Sequence, residues 1–289
     1  MSNPGPDLKG AALEEQRFHM LRSIAEELSG EVTFPTSFDI VVRLRKALQN
    51  PEQTLDHIAK LLSNEPLIPV RLLHMANTVI YNRGREVKDL KEAINRLGLN
   101  NVRTQAMAIA MNQLLRSKEM IVFGDLPQRV WDHSFHAACA AFVISQRKTR
   151  INPDEALLAG MVHDLGAFYL LYRFTRYEDL LARPMSVRYL LARWHESIGH
   201  SLLMALGMPD EITESVRDHE SLRPVPAQPH DLADVIYISN LLAEGMADWL
   251  GLEDYTEASK AMVQQAYDIY QDCLEEISEV ESEMRTALV

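Results

Sequence analysis

The stretch Ala156-Leu-Leu-Ala-Gly-Met-Val-His-Asp-Leu-Gly166 places an adjacent histidine and aspartate, His163 and Asp164, inside an apolar helical segment. An imidazole nitrogen and a carboxylate oxygen this close in sequence suit one divalent cation, provided that further ligands come from elsewhere in the chain. The pair therefore indicates a candidate metal site within a helical core.

Three more histidines, His133, His195 and His219, stand on either side of this pair. A single buried histidine is more often a hydrogen-bonded core residue than a metal ligand. The prediction of a metal site therefore depends on the whole ordered set rather than on any one member. We take these three residues as candidate ligands together with His163 and Asp164.

Apolar residues recur along the chain with the 3.6-residue period of helices, and no sustained period-two alternation is present. We therefore predict an all-α fold. Gly98 stands where a C-terminal cap belongs, and the three prolines between residues 222 and 230 predict a loop. The predicted helices include residues 37–49, 54–62, 66–76, 89–97, 101–116, 128–147, 231–250 and 255–286.

The central helix has a clear start signal. Asn152 is a suitable N-cap, Pro153 fits the first helical position, and Glu155 completes a pattern like a capping box. Gly160 lies inside this helix, where it costs about 1 kcal/mol relative to alanine. A close approach of the helix at 128–147 would explain the glycine, because that helix carries small residues at Ala137, Ala140 and Ala141.

Composition limits the classes of function. The chain has 29 basic and 41 acidic residues and a net charge of −12, which is a poor match for nucleic acid or an anionic membrane. Its two cysteines favour a reduced, cytoplasmic protein over a disulfide framework. The first 30 residues lack the apolar core of a signal peptide, and no apolar run approaches the ~18 residues of a membrane span.

The ordered histidines resemble the HD superfamily of metal-dependent phosphohydrolases, and the surrounding sequence resembles its HDOD (HD-related output domain) family of bacterial signalling proteins. The resemblance spans about residues 33–250. It implies an HD-like helical bundle. Outside this span, the apolar periodicity and the composition predict an N-terminal helix within residues 1–32 and a helical extension over 251–289 that packs on the domain. The motifs that carry the resemblance are Asn64 to Asn77, Ala93 to Arg103, Trp131 to Ser134, Ala156 to Gly166, His195 to Gly199 and Gly207 to Glu211.

The resemblance also implies which residues hold metal. His133, His163 and Asp164 match three expected ligands, and His195 and His219 match the positions that hold a second ion in two-metal members. Nitrogen and carboxylate ligands together suit iron, manganese, nickel or zinc better than magnesium.

Two departures from the active pattern stand against catalysis. Asn240 occupies the position of the final aspartate ligand, and Ala167 replaces a lysine that many active relatives carry directly after the His-Asp motif. Helix geometry places Asp234 about 120° away from the face of Asn240, so Glu244, four residues on, is the better candidate for a substitute carboxylate.

We therefore predict a stand-alone regulatory protein that acts through protein contacts and retains a degraded metal site. The family context predicts two-component or cyclic-dinucleotide signalling proteins as partners, and a homodimer is a further expectation. The alternative is an active metal-dependent phosphohydrolase or phosphodiesterase, in which Asp164 would be catalytic. The apolar residues of the terminal helices are expected to pack on the domain or on a partner.

Overall fold

The computed structural model describes residues 18–24, 26, 38–50, 52, 54–65, 67–81, 84–243 and 257–288. Within these ranges the secondary structure is helical and contains no β-strand, so the predicted all-α fold is confirmed. The first half of the fold contains α1 (18–24), α2 (Asp39–Gln49), α3 (Leu55–Ser63), α4 (Leu67–Ala76), α5 (Leu90–Leu115), a 3-10 segment (Lys118–Phe123) and α6 (Leu126–Lys148).

The second half surrounds the His-Asp pair and ends in two helices that lie outside the central bundle. Its elements are α7 (Pro153–Val162), α8 (Leu165–Phe174), α9 (Glu178–Leu181), α10 (Pro184–Ala205), α11 (Asp210–Ser215), α12 (Leu232–Leu242), α13 (Glu257–Ile269), a 3-10 turn (Gln271–Cys273) and α14 (Leu274–Leu288).

Helices α6 and α7 form the central pair of the bundle. The side chain of Asn152 accepts a hydrogen bond from the Asp154 backbone at 2.9 Å, and Pro153 occupies the first helical position, as predicted. The predicted close approach at Gly160 is also confirmed, because a Cβ there would lie 2.6 Å from the Cα of Ala138. The nearest partner is Ala138 rather than Ala140 or Ala141.

The His-Asp pair lies between two helices, which corrects its predicted place inside one. Helix α7 ends at Val162 and α8 begins at Leu165, and Asp164 has non-helical dihedrals of φ −98° and ψ 17°. This short break changes the direction of the chain in the middle of the core. As a result, both side chains of the pair point towards the same interior space.

Gly98 interrupts α5 with φ +78° and ψ 170°, so the predicted end of a helix at this position is confirmed. A positive φ of this kind favours glycine, because a Cβ would be strained there. The chain resumes a helical path directly afterwards, which separates the predicted helices 89–97 and 101–116.

The C-terminal segment forms two helices rather than the single helix predicted over 255–286. The break falls after Tyr270, which is fully buried and whose hydroxyl donates to the carbonyl oxygen of Pro226. This anchor allows α13 to pack against α12 and α14 to pack against α6. One straight helix could not follow both surfaces. Residues 244–250, the end of the predicted helix 231–250, lie outside the described residues.

The apolar side of α14 is covered by the bundle. Ile277, Val280 and Met284 are buried, while Arg285 pairs with Asp132 on α6 at 3.1 Å. This part of the terminal region therefore packs on the body of the protein and does not form an exposed apolar patch. The proposed boundaries at 33 and 250 remain predictions.

Candidate metal centre

The predicted ligands converge on one point in the core although they come from distant parts of the chain. They are almost fully buried, with exposed fractions of 0–2%. Asp164 lies at the centre, and its two carboxylate oxygens face opposite groups of side chains. The contributing residues are His133 on α6, His163 and Asp164 between α7 and α8, His195 on α10, His219 after α11, and Asn240 on α12.

One group, called site A here, surrounds Oδ2 of Asp164. This oxygen lies 3.6 Å from Nε2 of His133 and 3.4 Å from Nε2 of His163. The two imidazole nitrogens are 3.2 Å apart, and Oδ1 of Asn240 lies 2.8 Å from Nε2 of His133. Site A therefore consists of these two histidines, one oxygen of Asp164 and an amide oxygen.

The other group, site B, surrounds Oδ1 of Asp164. This oxygen lies 3.5 Å from Nε2 of His195 and 3.4 Å from Nε2 of His219. The two imidazole nitrogens are 3.4 Å apart. Each oxygen of Asp164 thus faces its own pair of histidines, which is an arrangement suited to two adjacent cation positions with one bridging carboxylate.

Backbone carbonyl groups orient three of the four imidazoles. A carbonyl oxygen can only accept a hydrogen bond, so the Nδ1 atom of each of these rings must donate. This leaves a lone pair on Nε2 in the neutral ring, directed at the centre, which is the usual support for a metal-binding histidine. The bonds run from His163 to Gly160 at 2.7 Å, from His195 to Leu191 at 2.8 Å, and from His219 to Val216 at 2.7 Å.

Two glycines bring α8 and α10 close enough for His195 to reach Asp164. A Cβ on Gly166 would lie 2.0 Å from the carbonyl oxygen of His195 and 2.6 Å from the backbone nitrogen of Gly199. Glycine at 166 is therefore required by direct backbone contact. This packing connects the His-Asp turn with the helix that supplies His195.

Glu220 is part of the centre, although the sequence analysis did not identify it. Its Oε1 lies 3.7 Å from Nε2 of both His195 and His219. The preceding Asp218 adopts a left-handed conformation with φ +57°, at the turn that presents His219 and Glu220. The available signal was the repeated pairing of histidine with a following acid, since Glu196 and Glu220 follow histidines as Asp164 does.

Burial and charge set the protonation of the cluster. Burial lowers the pKa of His163 to about 3 and also lowers that of His133. Burial opposes ionisation of Asp164, but the nearby imidazoles, His163 first, hold its pKa below the ordinary value. Burial also disfavours a charged His219, yet Asp164 and Glu220 raise its pKa to about 9. Without a metal, the main ion pair is that of His219 with Asp164.

The metal-free protein should consequently lose stability as the pH rises from about 6.5 to above 9. His219 has a pKa of about 9 in the folded state, against ~6.5 when unfolded. Its stabilising contribution is complete below the unfolded value and disappears as the pH passes the folded one. Urea unfolding in the presence of a chelator would measure this loss. His219→Gln should flatten the profile in that window, and a flat wild-type profile would contradict the assignment.

The buried carboxylates fit a metal ion. Neither oxygen of Asp164 nor Oε1 of Glu220 accepts a hydrogen bond within the described part of the chain. Buried carboxylates without donors are strongly destabilising, and a dication would compensate for the missing interactions. Imidazole nitrogens together with carboxylate oxygens suit iron, manganese, nickel or zinc.

The centre has candidate metal ligands but lacks, among the described residues, a lysine or arginine paired with its carboxylates that could bind a phosphate ester. Among residues that the structure describes, no lysine or arginine forms an ion pair with Asp164 or Glu220, and the side chains that face these carboxylates in such pairs are histidines. Ala167, which the sequence analysis compared with a lysine of many active HD relatives, is fully buried. Asp234 lies away from the centre and pairs with Arg223 at 2.8 Å, and Glu244 falls outside the described residues.

Known structures share this fold. A protein from Shewanella amazonensis SB2B, provisionally named a metal-dependent phosphohydrolase, is 19% identical, with a TM-score of 0.69 over 93% of this chain and 99% of its own. An HDOD domain protein of unknown function from Geobacter sulfurreducens is 22% identical, with a TM-score of 0.55 over 95% of this chain and 99% of its own. At these identities the likeness concerns the fold alone.

Sequence comparison extends the resemblance. A protein of unassigned function from Treponema pallidum (strain Nichols) is 20% identical over 243 residues, which are 79% of this chain. The chain spans less than half of that relative, 45% of its length. No helix in the described ranges combines the length and apolar character needed to cross a membrane. The family model of the HDOD domain matches residues 34–222, well over half of the chain, and the protein therefore belongs to the HDOD family.

Proposed function

We propose that this chain is a regulatory protein of bacterial signal transduction that acts through protein contacts and retains a divalent transition metal without hydrolysing phosphate esters. The burial of the centre carries the proposal. The histidines, Asp164 and Asn240 are 0–2% exposed and Glu220 has 19% of its side chain exposed, so the described residues leave a phosphate ester little direct approach to the imidazole nitrogens. A metal in such a position would stabilise the bundle and hold α6, α8, α10 and α12 around Asp164.

Two further observations support a non-catalytic role. Asn240 supplies an amide oxygen where a carboxylate would raise the negative charge of site A. Ala167 supplies no cation for a phosphate group. In an active centre, a metal ion lowers the pKa of bound water and polarises the phosphoryl oxygen. Here the chain's own residues would hold the ion, while among the described residues no lysine or arginine pairs with its carboxylates to bind and orient a substrate phosphate.

The alternative is a metal-dependent phosphohydrolase. The nearly complete set of histidines around Asp164 favours it, as does the name of the Shewanella amazonensis structure. Such an enzyme would have to open the bundle to admit its substrate, because the ligands are buried in this conformation.

Partners are proposed to be signalling proteins, including two-component or cyclic-dinucleotide components, or a second copy of the chain. A structurally similar protein from Marinobacter aquaeolei VT8, 20% identical with a TM-score of 0.53, is provisionally named a signal transduction protein. Contacts with proteins rather than with a substrate also fit a domain whose polar centre is enclosed.

Loading the protein with iron(II), manganese, nickel or zinc and assaying bis(4-nitrophenyl) phosphate should separate the two functions. We expect bound metal but no hydrolysis above the rate of an Asp164→Asn preparation, which controls for contaminating phosphatases. The assay combines a metal content measurement with release of 4-nitrophenolate. Metal-dependent turnover by the wild type that is lost in Asp164→Asn would overturn the regulatory proposal in favour of an enzyme.

A further inference from the structure

The two halves of the centre carry different charges. Site A contains His133, His163 and the amide of Asn240 around one oxygen of Asp164. Site B contains two histidines around the other oxygen, and the carboxylate of Glu220 faces the same space. The negative charge has thus been lost on one side of Asp164 and is present on the other.

We infer that Glu220 is a metal ligand and that the chain holds a single divalent transition ion in site B, instead of the two-ion centre that its histidines suggest. This inference depends on the proposed retention of metal, but it adds the position of the ion, the number of ions and a ligand. Site B as inferred consists of Asp164, His195, His219 and Glu220.

The position of Glu220 supports this role. Its Oε1 is 3.7 Å from both imidazole nitrogens of site B, is buried, and accepts no hydrogen bond within the described residues. The backbone nitrogen of Glu220 donates to Oε1 of Glu196 at 2.9 Å, which fixes the residue beside His219. A carboxylate oxygen buried at this point without a hydrogen-bond donor is destabilised, and a bound cation would compensate for the missing interaction.

Charge balance favours one ion over two. Asp164 and Glu220 together supply two negative charges, which neutralise one dication. Two dications would leave two positive charges uncompensated at a place where Asp164, His195 and His219 are 0–2% exposed and Glu220 has only 19% of its side chain exposed. Burial of unbalanced charge is strongly unfavourable. Among the described residues, an ion in site A alone would have only Asp164 to balance it, so site B is the more favourable position.

A different role for Glu220 makes a different prediction. If Glu220 serves only to attract a protonated His219, its removal should leave the metal affinity nearly unchanged. If it is a ligand, Glu220→Gln keeps the shape of the side chain and removes the charge, so metal binding should weaken by at least about tenfold.

The experiment is a titration of the full-length, metal-free chain with Mn²⁺, in which free ion is counted by electron paramagnetic resonance and bound ion by elemental analysis. We expect one equivalent in the wild type and at least about tenfold weaker binding in Glu220→Gln. Glu214→Gln is the matched control, because this glutamate lies on α11 with an exposed side chain and should leave binding unchanged.

Two variants of site A complete the test. His133→Ala should retain the single equivalent, and Asn240→Asp should add a second one by restoring a carboxylate there. His133→Ala also keeps the inference testable if Glu220→Gln does not fold. Two equivalents in the wild type, wild-type affinity in folded Glu220→Gln, or loss of the ion in His133→Ala would each overturn the inference. These outcomes concern the position of the metal, whereas the hydrolysis assay decides the proposed function independently.

Discussion

Replacing Gly166 with alanine should destabilise the protein by about 3 kcal/mol or more. The added Cβ would lie 2.0 Å from the carbonyl oxygen of His195 and 2.6 Å from the backbone nitrogen of Gly199. These are backbone atoms of α10, which cannot rotate away as a flexible side chain can. Helices α8 and α10 would therefore have to separate, and His195 would move away from Asp164. Urea unfolding monitored by circular dichroism would measure the loss.

Gly84→Ala is a control that adds the same methyl group at a position without a steric clash. Gly84 has a φ of +85°, but a Cβ there would meet nothing within 4 Å. Its replacement should therefore cost only the backbone strain of about 1 kcal/mol. If Gly166→Ala proves no more destabilising than Gly84→Ala, then the close backbone contact between α8 and α10 does not require glycine at position 166.

Local signals predicted much of the helical framework. Asn152 and Pro153 mark the start of α7, and Gly98 marks a break, because capping and positive φ values depend on a few neighbouring atoms. The close approach at Gly160 was also predictable, since a glycine inside a helix requires a reason such as packing. Each of these features can be recognised from residues within a few positions of one another.

Features that depend on tertiary contacts were less accessible. The break between α7 and α8 falls at His163 and Asp164, so neither proline nor glycine marks it in the sequence. It accompanies the burial of both side chains in the core. The division of the C-terminal segment depends on Tyr270 packing beneath a distant loop. Sequence periodicity reports which residues are apolar, but it does not report which surface a helix will follow.

The metal centre, too, could be predicted from the sequence only in part. The order of the histidines indicated which residues could meet, and the structure brings them together around Asp164. The spacing of the histidines along the sequence could not predict that the two carboxylate oxygens of Asp164 face different pairs of histidines, because this depends on the direction in which each oxygen points. Glu220 was missed for a similar reason. An acid after a histidine is common on protein surfaces, and only its burial beside His195 separates it from an ordinary solvated residue.

Asp164→Asn should abolish metal binding, with a loss of affinity of more than about 100-fold. Among the described residues, Asp164 is the one whose atoms face both groups of histidines, with Oδ2 in site A and Oδ1 in site B. The substitution removes one of the two carboxylates that the described residues place in the centre, and it turns one oxygen into an amide donor. An ion in site B would lose a ligand and half of its balancing charge, and an ion in site A would lose the carboxylate that the described residues supply there. Isothermal titration with Zn²⁺ and elemental analysis would measure the loss.

Asp234→Asn separates the loss of a ligand from the loss of the fold. Asp234 is also a buried acid, with 7% of its surface exposed, but it pairs with Arg223 and lies outside the centre. This variant should be destabilised and should still bind metal with the affinity of the wild type. Metal stabilises whichever state binds it, so the unfolding temperature should rise with added Zn²⁺ in the wild type and in Asp234→Asn. It should stay constant in Asp164→Asn. A rise of wild-type size in that variant would exclude Asp164 as the shared ligand of the two sites.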